Sequence, residues 1–172
     1  MLEPLRPPRF REPVHIVAAH MTGVPPVFAA RKKPVKGARA AGLRYEKKVQ
    51  DEFLRQYPEH YIPSPWFRFY DAYGQRWCQP DGLLLDIRAG LLTIVEVKHH
   101  HTGEAWWKLQ KLYLPVVRQV FGPDWRYGCL EVVRYYEADE LFPHAKLCEI
   151  PHLCPPLPTT GVHIMKPRKE GV

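Results

Sequence analysis

The chain has no apolar run approaching the roughly 20 residues that cross a bilayer, which argues against a membrane partner. It is also poor in cysteine. Cys78, Cys129, Cys148 and Cys154 are too few and too scattered for the disulfide framework of a secreted domain. The N-terminus lacks the pattern of a secretory signal, carrying Pro4, Pro7, Pro8 and Pro13 among the acids Glu3 and Glu12. Together these absences point to the cytoplasm. No RNA-binding motif is recognisable either.

What is present is a chain of 172 residues, 45% hydrophobic and 12% aromatic, enough for one well-filled core. The net charge of +7 is uneven: residues 1–48 hold 11 of the 25 Lys and Arg but only 3 of the 18 Asp and Glu. The rest of the chain is close to neutral. A basic arm on a neutral body is what a polyanion-binding protein carries, although such runs also serve merely as solvated tails. Arg31, Lys32, Lys33 and Lys36 form its densest cluster.

The organising stretch is Gln79 to Lys98. Two nearly continuous apolar strands meet at Arg88-Ala89-Gly90, where Gly90 supplies the turn. Strands this apolar are buried on both faces. Side chains two apart share a face, so Glu96 and Lys98 point one way and Val95 and Val97 the other. The head of one strand lies beside the tail of the next, which brings Asp81 next to Glu96. Two carboxylates and an ammonium then converge, an arrangement suited to a hard cation such as Mg²⁺ or Mn²⁺. The ordinary alternative is a solvated hairpin end with a salt bridge, but charges on a buried strand need partners.

Pro80-Asp81 followed by Glu96-Val97-Lys98 resembles the signature of the PD-(D/E)XK nuclease superfamily. The neighbouring elements fit the same comparison. Residues 36–57 read as a helix with Leu43, Val49, Phe53 and Leu54 near a 3.6-residue period, stopped by Pro58. Its Gly42-x-x-x-Glu46 resembles the helix preceding the catalytic hairpin in recombination-type members, the glycine allowing close approach to the sheet. Trp66 to Tyr70 is a first strand, and Asp71 to Gly74 turns it back toward Pro80. Gly103 to Phe121 is a second helix, with Pro115 a potential kink and Gly122-Pro123 a stop. Gln110 and Tyr113 resemble the glutamine-centred motif of RecB-like members, one residue closer together than its usual Gln-x-x-x-Tyr. Tyr127 to Tyr135 is a strand parallel to its predecessor.

The expected fold is therefore α/β: a restriction-endonuclease-like αβββαβ core with a mixed central sheet flanked by helices. We divide the chain into a proline-rich basic arm (1–36), the core (37–136) and a proline-rich C-terminal extension of little regular structure (137–172). The resemblance implies divalent-metal-dependent hydrolysis of DNA by metal-activated water, in recombination, repair or processing, as in phage-type or junction-resolving members. Asp81, Glu96, the Val97 carbonyl and Glu46 would hold metal, Lys98 would orient or deprotonate the water, and Gln110 would position the phosphate or the lysine. Arg31, Lys32, Lys33, Lys36, Arg44, Lys108, Lys111 and Tyr113 are the expected contacts to DNA, whether duplex, ended or branched. A homodimer is left open. The alternatives are an inactive nucleic-acid-binding protein of the same fold and an RNA-processing nuclease.

Two further groups attract attention without joining this site. His99, His100 and His101 cannot all converge on an extended strand. His144, Cys148, His152 and Cys154 have spacings unlike paired zinc ligands, and Pro151 interrupts any helix that would align them. Trp106 and Trp107 fit helix–sheet packing better than base stacking.

Overall fold

A computed structural model describes residues 11–30, 34–100, 103–135, 145–149 and 162–166. Among these residues the architecture is mixed α/β, with two sheets and two helical rods. The first rod is α1 (Ala38–Gln56). Tyr45, Val49 and Phe53 recur every four residues and form its buried stripe. Leu43, expected in that stripe, is instead exposed, because it lies off the four-residue spacing that Tyr45 begins. Gly42 needs a second correction: a Cβ there would meet no atom within 4 Å, so close packing on the sheet does not require glycine.

The strands are β1 (Ala18–Thr22), β2 (Tyr61–Pro63), β3 (Trp66–Asp71), β4 (Gly74–Cys78), β5 (Gly82–Asp86), β6 (Leu91–His100) and β7 (Arg126–Tyr135). Two more, β8 (Ala145–Glu149) and β9 (Val162–Lys166), lie in the C-terminal extension. One sheet runs β2-β5-β6-β7-β9-β8 and the other β1-β3-β4. The hairpin turn expected before β6 is present, with Gly90 at φ 60°. β5 and β6 are antiparallel and β6 and β7 parallel, as expected.

The single expected sheet is split in two, and the register shows why. β2 pairs with β5 through Pro63 and Gly82, and β3 pairs with β4 through Phe67 and Cys78. Both pairings belong to one antiparallel register. Carried across the gap, it sets Pro65 opposite Pro80. Neither has an N–H to give the ladder, so the long hairpin breaks there and its two halves enter different sheets. The Ser64 N–H still reaches the Asp81 carbonyl at 2.9 Å, and Ser64 takes a positive φ of 45° at the bend.

β6 is buried on both faces, as its composition requires. Val95 and Val97 pack with Leu130 and Val132 beneath α1, while Leu92 and Ile94 pack with Leu109, Val116 and Val117 of the second rod. That rod has three parts: α2 (Gly103–Trp107), a π-helical segment (Lys108–Tyr113) and α3 (Leu114–Phe121). Pro115 stands in the first turn of α3, so the irregularity expected of it takes the form of a widened turn just before it.

Both flanking segments contribute strands. β1 of the basic arm pairs along β3, and the Ala72 N–H bonds the Val14 carbonyl at 2.8 Å. In the extension, where little regular structure was expected, β9 pairs parallel to β7 and β8 to β9. β9 covers β7 from Cys129 to Val132, a pairing that local sequence in the extension does not advertise. Arg31, Lys32, Lys33, His101, His144, His152 and Cys154 lie outside the described residues.

Gly82 marks the tightest approach near the break. A Cβ there would overlap the buried Tyr61 ring, which stacks on Phe53 at 4.9 Å. We predict that Gly82→Ala lowers stability by about 2 kcal/mol, the scale of an overpacked core site. Urea denaturation measures this, and an unchanged midpoint would show that Tyr61 has room to move.

Candidate functional site

The break in the hairpin positions Asp81. Three donors hold its main-chain carbonyl: the Ser64 N–H at 2.9 Å, the Gln50 amide of α1 at 2.9 Å and the Tyr61 hydroxyl at 3.2 Å. The Gln50 amide also donates to Ser64 Oγ at 2.8 Å, so α1 ties both sides of the break. With its backbone held, Asp81 directs Oδ2 onto the Val97 N–H at 2.6 Å. A residue's N–H and C=O leave an antiparallel strand toward the same neighbour. The Val97 carbonyl therefore faces the same gap, where the register places Pro80 with no N–H to give it.

One step beyond the Gly82–Val95 pair, Asp81 stands opposite Glu96. Glu96 is buried, and its Oε1 lies 2.8 Å from Lys98 Nζ and 3.9 Å from Lys108 Nζ. Its Oε2 is buried with no hydrogen-bond partner among the described residues. Such an oxygen is costly to leave unmet and is free to take a cation. The hydroxyl of buried Tyr113 also bonds Glu96. Residues five apart lie about 140° apart around an α-helix. The π turn stacks such residues, which brings Lys108 and Tyr113 to the same carboxylate.

Electrostatics follow from this crowding. Burial, then Glu96, then Glu46 push the Asp81 carboxyl up to about 8, against the weaker pull of the Val97 N–H and Lys98. Burial would lower Lys98, yet Glu96 and Asp81 outweigh it and hold the ammonium above its usual value. Tyr113 is driven well up by burial and by the two carboxylates.

The structure thus brings together Asp81, Glu96, Lys98 and the Val97 main chain. Glu46 is half-buried on α1 and close enough to raise Asp81 and Tyr61. Among the described residues, however, no three His, Cys, Asp or Glu side chains form a metal-holding group, so Glu46 does not complete one with Asp81 and Glu96. Gln110 is half-buried in the π segment. Two expected DNA contacts turn inward: Tyr113 is buried against Glu96, and Lys108 lies between Glu96 and Glu104, 3.8 Å from the latter. Lys36, Arg44 and Lys111 are exposed, with Lys111 Nζ 5.8 Å from the Trp107 ring centroid. His99 packs edge-on to Tyr45 on the opposite face from Glu96, and His100 is exposed. Cys148 lies in β8.

Sequence reasoning missed Gln50, Ser64 and Tyr61, whose work is to hold a main-chain carbonyl. It also missed Glu131, fully buried on β7 and paired in register with Glu96. A glutamate inside the apolar run Leu130 to Val133 was the available signal. Comparisons with protein families, with curated proteins and with solved structures found no match in any of the three. Among the described residues, no helix is long and apolar enough to cross a membrane.

The raised Asp81 carboxyl makes the stability of the chain depend on pH. Folding strengthens proton binding there, so the contribution is complete below about pH 4 and is lost as pH rises through about 8. Asp81→Asn should therefore flatten the decline in stability between pH 5 and pH 8. Urea denaturation in chelator at both pH values measures this; an identical decline in the variant would place the titration elsewhere.

Proposed function

We propose that the chain is a divalent-metal-dependent nuclease acting on DNA, with the site built on Asp81, Glu96 and Lys98. The observation that carries this reading is their convergence across a broken hairpin, where a carboxyl is forced upward in pKa and a second carboxylate keeps a buried oxygen without a donor. Structural ion pairs do not need either feature. The order of elements over residues 38–135 and the Pro80-Asp81, Glu96-Val97-Lys98 pattern support a restriction-endonuclease-like core of the PD-(D/E)XK type.

The donor set fits Mg²⁺ or Mn²⁺. Asp81 and Glu96 offer carboxylate oxygens and Val97 a carbonyl, a sparse set of hard ligands of the kind that leaves room for water and phosphate. When bound, such an ion lowers the pKa of a coordinated water and neutralises charge on a phosphodiester. The chain's own residues do the rest. Lys98, held charged by Glu96, serves as a hydrogen-bond donor to phosphate or water, and not as the base. Lys108 adds a second positive charge beside Glu96. Glu46 raises the proton affinity of Asp81 from the α1 side. Tyr113 holds Glu96 through its hydroxyl.

Lys98→Ala should reduce cleavage of DNA at least 100-fold with Mg²⁺ or Mn²⁺, on the scale of losing one electrostatic donor. Binding to the same DNA in chelator should change little. Gel assays on linear, circular and branched DNA and on RNA decide the matter: a variant that cuts as well as the parent rules this chemistry out. For the basic arm, replacing Arg31, Lys32 and Lys33 with alanine should lower the slope of log affinity against log salt by about 2 to 3. An unchanged slope in fluorescence anisotropy would remove those residues from the DNA contact.

A further inference from the structure

The β1-β3-β4 sheet has two unlike faces. Phe67, Phe69 and Cys78 point into the core beneath α3. On the outer face the register aligns His20, Arg68 and Trp77 in one row across the three strands, with Trp66 and Tyr70 on either side of Arg68. Trp66 and Trp77 meet edge to face at 6.3 Å, and Phe28 meets Trp66 the same way at 6.0 Å. The Arg68 guanidinium lies 6.0 Å from the ring centroids of both Tyr70 and Trp77. Its Nε is buried with no hydrogen-bond partner among the described residues. None of the outward positions on these three strands is acidic, and aliphatic side chains there are limited to Ala18.

We propose that this face is a stacking platform for single-stranded nucleic acid, delivering an unpaired strand toward Asp81 and Glu96. Bases offer ring faces to aromatic side chains whatever their sequence, and an arginine among the rings meets both base and phosphate. With His20 and Arg68 in its central row and no acid beside them, the face complements a polyanionic strand, and a second copy of the chain, which the same rings and arginine would also suit, is an outcome of the test. The platform is also joined to the site by the chain itself. Trp77 precedes Asp81 by four residues, and Trp66 follows the Ser64-Pro65 bend that faces it. That delivery role rests on the nuclease reading, whereas binding to the platform does not.

The test uses the full chain in chelator, with a fluorescein-labelled oligothymidylate and a duplex of equal length. Trp77→Ala and Arg68→Ala should each weaken single-strand binding about tenfold, the scale of one lost stacked base. Duplex binding should shift less than twofold. Trp77→Phe should keep most of the single-strand affinity, which separates stacking from a folding defect. Unchanged affinity in both alanine variants overturns the proposal, as does an equal loss on duplex and single strand. A concentration-dependent dimer abolished by Trp77→Ala in sedimentation velocity also overturns it, because the face would then belong to a second copy. Failure here with Lys98→Ala still inactive in cleavage leaves the nuclease reading standing. If instead the platform binds and the Lys98→Ala variant cuts normally, the platform stands and the nuclease reading falls.

Discussion

Two prolines facing each other in one hairpin are the constraint on which the rest of the structure depends. A ladder can lose one N–H at an edge with little disturbance, but Pro65 and Pro80 remove donors from both strands at the same rung. The hairpin must then part, and the chain repairs the opening with side chains. Gln50 and Tyr61 take the Asp81 carbonyl, and the Asp81 carboxylate takes the Val97 N–H. The same residue thus closes a structural gap and presents an acid to Glu96. Backbone repair and the approach to Glu96 use one carboxyl group, and the half of the hairpin beyond the break is released to build the second sheet.

That arrangement explains why the helices sit where they do. α1 is needed on one face because Gln50 must reach the break and because Phe53 must support Tyr61 over Gly82. The second rod is needed on the other face because Glu96 points there, into a core otherwise lined by Leu92, Ile94, Leu109 and Val116. A lone glutamate in such surroundings would be intolerable. Lys98, Lys108 and Tyr113 supply the compensation, and the π turn is the local price in helix regularity that brings the last two within reach.

Much of this was legible in the residues. The Asp81–Glu96 juxtaposition follows from a two-residue side-chain period and a tight turn alone, and both hold in the structure. The split into two sheets was not legible, although both prolines and the turn that opposes them were visible, because it also depends on β1, a distant partner for the released half of the hairpin. Tyr113 was misplaced for a different reason: it stands three and four residues from Leu109, Val116 and Val117 and so belongs to their buried stripe, whereas its assignment to DNA followed a motif resemblance. Leu43 and Tyr45 compete for one stripe, and periodicity cannot rank two residues when one is a leucine and the other an amphipathic aromatic. β8 and β9 were missed because β9 pairs with β7, far back in the chain, and β8 pairs only with β9, so nothing local in a proline-punctuated stretch calls for a strand.

The two carboxylates at the centre are not equivalent, and their difference bears on how the site would respond to a cation. Glu96 already has two ammonium groups near one oxygen and a tyrosine hydroxyl in support. Asp81 has a single backbone N–H, with two glutamates raising it and only Lys98 opposing them. On the proposed reading, neutralisation at Asp81 comes from a proton below about pH 8 and would come from an ion above it. On the same reading, a cation bound here would compete with the proton on Asp81 and could be met by the Oε2 of Glu96. Proton release would then accompany metal binding, a linkage that a purely structural salt bridge between Glu96 and Lys98 would not produce.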